Sequence, residues 1–453
     1  MKTDRSYLKY KPSGVEWLGD VPEHWDVRRL KDMLLSRKGA IKTGPFGSQL
    51  LSSEMYEGEI KVYNQRSVID SDFESGENYI SKEKYMELKE FETFPGDFLI
   101  TTRGTIGRCS ILPQNAEKGI LHPCLMRLQT DKSKIIDRFL EIIIEESNVV
   151  FEQLKLKSNG TTIEVIYQDS LKNVITPLPP ISEQQAIAAF LDSETGRIDA
   201  LVAKKERLIE LLREERSALI SSAVTGGLDP SVKLEPSGVE WLGDVPKHWE
   251  ILALKRIVNI PVTDGPHETP EILDEGIPFV SAEAIKNDQI DFTKIRGFIS
   301  IEDHKKYSLK YKPHRDDIFV IKSGATTGNV AMVETDDEFN IWSPLAAVRP
   351  NQKVSFPRFL FHFVKSKEFL TAIQLGWSFG TQQNIGMNVI ENLFVTLPPL
   401  PEQQAIAAFL DQETAKIDAL ISKVEAVIAK LKEYRTALIS AAVTGKIDVR
   451  EAA

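Results

Sequence analysis

The decapeptide Glu-Gln-Gln-Ala-Ile-Ala-Ala-Phe-Leu-Asp occurs twice, at Glu183–Asp192 and Glu402–Asp411, an offset of 219 residues. Each copy opens a long stretch of helical periodicity, from Ser182 to about Val224 and from Glu402 to about Val443. In the second stretch one column is Leu410, Ile417, Val424, Leu431 and Leu438, and the other is Ile406, Glu413, Leu420, Val427, Tyr434 and Ala441. The first stretch repeats this with Leu191, Ile198, Lys205, Leu212 and Leu219 against Ile187, Glu194, Leu201, Leu208 and Glu215. A 3–4 spacing held over this length predicts a coiled-coil seam, narrower than the face of an ordinary core helix. At about 1.5 Å per residue, each helix reaches roughly 63 Å. A stripe of that length needs a partner of equal length, and the nearest one is its own copy.

Local signals frame both helices. Ser182 with Gln185 is a capping-box pattern. Pro401 can occupy the first helical position, where a missing N–H costs nothing. Thr225-Gly226 and Thr444-Gly445 supply glycine for a left-handed stop. Gly196, whose counterpart is Ala415, weakens the first helix by about 1 kcal/mol relative to alanine.

The duplication extends beyond the helices. Pro-Ser-Gly-Val-Glu-Trp-Leu-Gly-Asp-Val-Pro stands at Pro12–Pro22 and again at Pro236–Pro246, followed by His24-Trp25 and His248-Trp249. The offset here is 224, so the first variable segment is five residues longer than the second. A period this long excludes a solenoid and marks tandem duplication of a whole domain with its helix. Between the constant ends a skeleton persists. A turn, Thr43-Gly44-Pro45-Phe46-Gly47 or Asp264-Gly265-Pro266-His267, precedes a strand at Ile60–Val62 or Ile277–Val280. An apolar strand then enters a glycine turn, at Asp97–Gly107 and Asp317–Gly328. Helices are predicted at Asp137–Leu154 and Pro357–Leu375. Gly160-Thr161-Thr162 or Gly380-Thr381-Gln382-Gln383 follows, and a last strand ends in Leu-Pro-Pro before each long helix. His24 and His248 sit in the constant part and are expected to pack structurally beside their tryptophans.

The rest of the chain narrows the function. A net charge of −10 over 453 residues argues against a uniformly basic nucleic-acid binder, so any DNA contact should use local basic patches or partner chains. Cys109 and Cys124 are too few for a disulfide framework or a zinc set and fit a reducing cytoplasm. The polar opening and the lack of an apolar run of about 18 residues predict no secretory leader and no membrane association. The phosphate-cradling glycine motifs, the His-Glu-x-x-His and Cys-x-x-Cys metal motifs and the Gly-x-Ser-x-Gly nucleophile are all missing. So is the Asn/Asp-Pro-Pro-Tyr/Phe mark of amino-methyltransferases. A duplicated module with constant ends, diverged middles and no catalytic signature reads as a recogniser.

In the order of these motifs, given twice over essentially the whole chain, the sequence resembles the specificity (S) subunits of type I restriction–modification enzymes. The resemblance rests on the Pro-Ser-Gly-Val-Glu-Trp-Leu-Gly openings, the Gly-Pro turns, the strands leading to Gly-Thr-Ile-Gly and Gly-Ala-Thr-Thr-Gly, the Gly-Thr-Thr and Gly-Thr-Gln-Gln segments, and Leu-Pro-Pro-x-x-Glu-Gln before each helix. It implies an α+β fold with two target recognition domains of irregular mixed β-sheet and short helices. Two long helices join them as an antiparallel coiled coil with internal pseudo-two-fold symmetry. The corresponding division is recognition domain 1 at 1–180, helix 1 at 181–229, recognition domain 2 at 230–400 and helix 2 at 401–453. It further implies that each half reads one half of a bipartite, asymmetric site in double-stranded DNA, and that the helices set the gap. The implied partners are two modification (methyltransferase) subunits, docked on the helices, and two restriction (motor-nuclease) subunits. This chain would be non-catalytic and carry no cofactor or metal. S-adenosylmethionine, ATP and magnesium would serve the partners, with methyl transfer to adenine N6.

Candidate base readers are polar side chains on the diverged loops: Ser48, Gln49, Gln65, Arg66 and Arg103 in the first half, and His267, Glu268, Lys322, Gln382 and Gln383 in the second. Arg pairs with guanine and Gln with adenine in the major groove. Arg103 and Lys322 rank first because they flank equivalent glycine turns. The basic–aromatic run His304–Arg315 is either a phosphate-binding strip or solvated surface. Two other readings compete: a self-contained enzyme, which the missing motifs oppose, and a scaffold that grips protein instead of DNA.

Overall fold

The computed structural model describes residues 6–147, 149–158, 165–375, 378–379 and 383–450. The chain forms two compact units. One comprises Met1–Lys205 and Ala426–Ala453, the other Glu206–Glu425. Each therefore holds one sheet-bearing head, a piece of the first long helix and a piece of the second.

In the first unit the head carries two four-stranded sheets. One has the order Tyr79–Ile80, Ile60–Tyr63, Gly119–Leu121, Glu92–Thr93, with the central pair parallel. The other is antiparallel, in the order Ile41–Thr43, Leu125–Leu128, Phe98–Thr101, Cys109–Ile111. Phe98–Thr101 and Leu125–Leu128 are buried at every position, so both faces of these strands are covered; the buried Arg127 among them bonds the carbonyls of Glu92 and Gly39. The second unit repeats the plan. Gly297–Ile299, Ile277–Val280 and Asn340–Ile341 form the mixed sheet. Thr263–Asp264, Leu345–Val348, Ile318–Ile321 and Val330–Met332 form the antiparallel one. In each head the entering and leaving strands pair, Asp26–Arg29 with Ile175–Leu178 and Glu250–Ala253 with Phe394–Leu397, which closes the head at the foot of its helix.

The glycine of each Gly-Pro turn is fixed by backbone approach. A Cβ on Gly44 would stand 2.1 Å from the carbonyl oxygen of His122, and one on Gly265 would stand 1.9 Å from that of Ile341. No side chain fits there.

The long helices run Ile181–Gly226 and Leu400–Val443. The first starts ahead of its expected cap. The amides of Glu183 and Gln184 donate to the carbonyl of Pro180, so Ser182 lies inside the first turn and does not cap it. Pro401 likewise occupies the second helical position, still within the turn that needs no N–H partner. The left-handed residue that ends the first helix is Gly227 (φ +78°), one beyond the expected Gly226, whereas Gly445 (φ +72°) ends the second as expected.

Within each unit the helix pieces pair antiparallel. In the first unit Arg450 faces Glu183 at 3.8 Å and Arg435 faces Asp199 at 3.0 Å, so one sequence falls as the other rises. In the second, Arg213 faces Glu425 at 3.5 Å and Arg216 faces Asp418 at 2.9 Å, again in opposite senses.

One column of the seam is as expected; the other keeps Ile187 and Ile406, both buried, and is displaced by one residue beyond them. Leu191, Ile198, Leu212, Leu410, Val424 and Leu438 are buried, and Ile417, Leu431 and Leu219 are half-buried. The second column is Thr195, Val202 and Ile209, with Thr414 and Ile428 on the other helix. Leu201, Leu420, Val427 and Tyr434, read from spacing as seam residues, lie on the flank; Leu420 is 44% exposed and Ile428 only 8%. Leu208 is half-buried beside buried Ile209. The reason is that several turns carry two adjacent apolar residues, such as Leu208-Ile209 and Val427-Ile428. These are about 100° apart, and periodicity alone does not choose between them. Thr195 and Thr414 tolerate burial because each hydroxyl donates to the carbonyl four residues back, Leu191 and Leu410, at 2.7 and 2.6 Å.

Each head helix expected as one segment is two. Asp137–Glu141 continues through a wide turn to Glu146, and Val149–Ser158 follows. Pro357–Val364 is followed by Lys367–Leu375. A serine marks each break. The Ser147 hydroxyl bonds back to Ile143 at 2.7 Å, and the Ser366 hydroxyl accepts the Phe369 amide at 3.2 Å. Such local side-chain bonds offer the backbone an alternative to the helix ladder.

Candidate nucleic-acid interface

The repeated residues build the frame. In the first unit the Trp25 indole N–H donates to Glu183 at 2.8 Å, His24 Nε2 lies 2.5 Å from the same carboxylate, and the Tyr7 hydroxyl donates to it at 3.1 Å. In the second, Trp249 and His248 hold Glu402 at 3.1 and 2.9 Å. The next residue is a clamp. Buried Gln184 accepts the Ile136 amide at 2.9 Å and donates to the carbonyls of Lys134 and Pro179. Gln403 does the same with Phe356, Val354 and Pro398. The duplicated His-Trp and Glu-Gln pairs thus fasten each head to the start of a long helix. They leave the diverged loops as the part that differs between heads.

In the first head these loops border a cleft of about 470 Å³ lined by Lys42, Thr43, Phe46, Gln49, Arg103 and Tyr167 among others. Ser48 is exposed on the same turn. The Gln49 carbonyl oxygen accepts the Phe46 amide at 2.9 Å, which locks the turn. Arg103 is exposed, bridges Val165 by its backbone, and has no carboxylate partner among the described residues. Gln65 braces the glycine turn beside it, donating to the Thr105 carbonyl at 3.2 Å. Arg66 is set apart. It pairs with Asp70 at 3.2 Å in a separate depression with Asn64 and Asp72.

The second head has a cleft of about 390 Å³ lined by Asp264, His267, Glu268, Lys306 and Lys310 among others. Its floor is a fully buried carboxylate. Asp264 receives Lys310 on one oxygen and, on the other, Lys322 at 3.0 Å and His267 at 3.1 Å. Burial pushes the Asp264 carboxyl up, but the two lysines outweigh it and hold it below the usual carboxylate range. Lys322 is therefore committed to an internal ion pair and is not a free base reader. Glu268 is paired with Lys306. Gln383 has its backbone in a short strand, Gln383–Asn384, next to Ser323; its side chain and all of Gln382 lie outside the described residues, as do Gly160-Thr161-Thr162 and Gly380-Thr381.

Arg103 and Lys322 are not equivalents. The backbone amides of Thr102 and Lys322 donate to Cys124 and Pro344, and Arg103 and Ser323 make the matching bridges, to Val165 and Asn384. Lys322 thus corresponds to buried Thr102, and Arg103 to Ser323. Adjacent strand residues point to opposite faces, which is why one is exposed and the other buried. The cleft floors consequently differ: Thr43 and Thr102 in one head, Asp264 and Lys322 in the other.

The charged residues of the run His304–Arg315 lie on solvated surface, one of the two readings the sequence left open. Lys306, Lys310, Lys312 and Arg315 pair with Glu268, Asp264, Glu338 and Asp336, while His304, Tyr307 and Tyr311 are buried. Sequence reasoning missed Phe46, Tyr167 and Asp264. The available signal was that Phe46 and His267 occupy the same place after Gly-Pro.

Among the described residues no cluster of His, Cys, Asp and Glu is arranged to hold a metal, and no helix is long and apolar enough to cross a membrane. Two like-framed heads with unlike clefts, carried on paired helices, define a bipartite recognition protein. The sequence profile of the type I restriction modification DNA specificity domain matches residues 22–211 and 246–430, once per repeat, and the chain belongs to that family. It is 24% identical over 340 residues to the EcoBI specificity subunit of Escherichia coli, covering 73% of this chain and 70% of that one. It is also 24% identical to the putative MjaX specificity subunit of Methanocaldococcus jannaschii, covering 96% of both. Among solved structures, a chain from a study of assembly and conformational transition of the type I R-M system superposes with a TM-score of 0.68 at 18% identity, covering 93% of this chain and 98% of that one. The HsdS subunit of Thermoanaerobacter tengcongensis gives 0.55 at 17% identity, covering 94% and 98%. These likenesses show the same fold. The protein is a DNA sequence-recognition subunit.

Proposed function

We propose that each head reads one half of a bipartite, asymmetric site in double-stranded DNA, and that the paired helices set the unread gap and carry the docking surface for two modification subunits. Two restriction subunits complete the complex. The chain itself is non-catalytic and works in the cytoplasm. S-adenosylmethionine, ATP and magnesium are bound by the partners, whose reaction is methyl transfer to adenine N6. The observation that supports this reading is the contrast within the duplication. His-Trp on Glu and the Gln clamp recur in both units, whereas the cleft floors differ as Thr43/Thr102 against Asp264/Lys322. A protein reading one palindrome twice would need like clefts. Unlike clefts on a like frame suit an asymmetric target, with phosphate contacts setting register and base-edge contacts setting sequence.

The test is to map methylated adenines in a host carrying this chain with its modification subunit, then to exchange Asp26–Pro177 for the same segment of a relative. One half of the target should change and the other half and the gap should not. Deleting or duplicating whole turns within Leu191–Leu219 should change the gap alone. Exchange that alters both half-sites, or neither, overturns the reading.

A further inference from the structure

The two heads present one feature at the same place that no conserved frame contact explains. The residue after each Gly-Pro turn is a planar ring held out at the mouth of the cleft. Phe46 is 75% exposed, and the His267 side chain is 69% exposed. The turn beneath Phe46 is rigid. Gly44 is seated on the His122 carbonyl with no room for a side chain, and Gln49 bonds the Phe46 main chain through its amide nitrogen and its side-chain oxygen, at 2.8 and 2.9 Å. With its main chain fixed in this way, Phe46 has its backbone ordered before any partner arrives, so binding loses little backbone freedom there. It is also not an isolated apolar residue. The same cleft holds a second exposed ring, Tyr167 (65%), and the Arg103 guanidinium, which has no carboxylate partner among the described residues. Exposed rings beside an exposed cation suit nucleic acid better than a protein core.

We propose that Phe46 in the first head and His267 in the second each contact a base and set the preference at one base pair of their half-site. This rests on the functional reading above and names the residues that carry it out. The two rings predict different chemistry. Phe46 offers no hydrogen bond, and its apolar target in the major groove is the C5-methyl of thymine. His267 has Nε2 against the Asp264 carboxylate, which the lysines keep ionised. Its imidazole, unlike the Phe46 ring, can exchange a hydrogen bond with a polar base edge.

The experiment uses the complete modification complex and a DNA library randomised across both half-sites, read by methylation. Phe46→Ala should lower discrimination at one base pair of the first half-site about 10-fold and leave the second half-site unchanged. Phe46→Leu, which keeps an apolar contact, should retain most of it. Replacing the contacted thymine by deoxyuridine should reproduce the Phe46→Ala effect in the parent complex. His267→Ala should relax one base pair of the second half-site only. The unaffected half-site reports in each case that the chain is folded. A selective parent whose profile is unchanged by Phe46→Ala and His267→Ala, or that loses methylation uniformly at every position, overturns the inference. A parent with no sequence preference overturns the functional reading itself.

Discussion

The indole of Trp25 and the carboxylate of Glu183 are joined by a 2.8 Å hydrogen bond, and the same bond recurs between Trp249 and Glu402 at 3.1 Å. The first version is the deeper one. Glu183 is buried and also takes the Tyr7 hydroxyl, with Arg450 close by, whereas Glu402 is about one-third exposed. Glu183→Ala removes an ionised acceptor and strands the Trp25 N–H in the interior. The expected cost is about 2–4 kcal/mol. Glu402→Ala should cost about 1 kcal/mol, because water can replace the lost oxygen there. Urea unfolding of the two variants measures the difference; equal losses would mean that burial of the carboxylate does not matter.

The register of the helix pair is open to a direct test. Ile428 lies in the seam and its neighbour Val427 on the flank. Ile428→Ala should destabilise by about 2–4 kcal/mol, as for other buried aliphatics. Val427→Ala should cost less than about 1 kcal/mol. Thermal unfolding of the pair decides between the columns, and the reverse order would restore the one expected from spacing.

His122 supports the first cleft from below, its carbonyl packed on Gly44 and its Nδ1 accepting the Cys124 amide at 3.2 Å. Burial pushes its pKa below the ordinary histidine value. The folded state therefore resists protonation while the unfolded chain accepts it. Stability should be at its full value above the unfolded pKa of about 6.5 and fall as pH drops below it, towards the folded pKa. His122→Gln should flatten that slope between neutral and mildly acid pH. An unchanged slope in urea titrations across this range would place the dependence elsewhere.

What the sequence disclosed follows from what the duplication preserved. Glu183, Gln184, Trp25 and their copies stand out because one frame is written twice with the same contacts. The seam was legible to within one residue, because Leu208-Ile209 and Val427-Ile428 leave the stripe's edge undetermined until the antiparallel partner is in place. The matching of Arg103 with Lys322 failed for a similar reason. Arg103 stands one residue before Gly104 and Lys322 two before Gly324, and a slip of one residue in a strand exchanges the inner and outer faces. The helix breaks at Ser147 and Ser366 depend on local hydroxyl bonds that hydrophobic periodicity does not register. Phe46 was passed over because the candidates were taken among polar side chains, and only its placement on a locked turn shows it facing out.

Asp264 separates the two heads most sharply. It is fully buried, and Lys310, Lys322 and His267 converge on it, while Thr43 takes its place in the first head. Asp264→Ala leaves Lys322, itself almost wholly buried, without its counter-charge. Breaking one side of a buried pair costs about 3–5 kcal/mol; here the lower end is expected, because Lys310 is half-exposed and can turn to water. Asp264→Asn keeps the shape and an acceptor and should cost less. Thr43→Ala at the matching position removes no charge and should stay near 1 kcal/mol. The functional consequence should be confined in the same way. With its carboxylate neighbour made neutral, His267 and the lysines around it are held less firmly, so Asp264→Asn should relax sequence preference in the second half-site at permissive temperature while the first half-site reads as before. Methylation profiles of the complex check this, and a change confined to the first half-site would show that the Asp264 cleft does not serve the half-site assigned to its head.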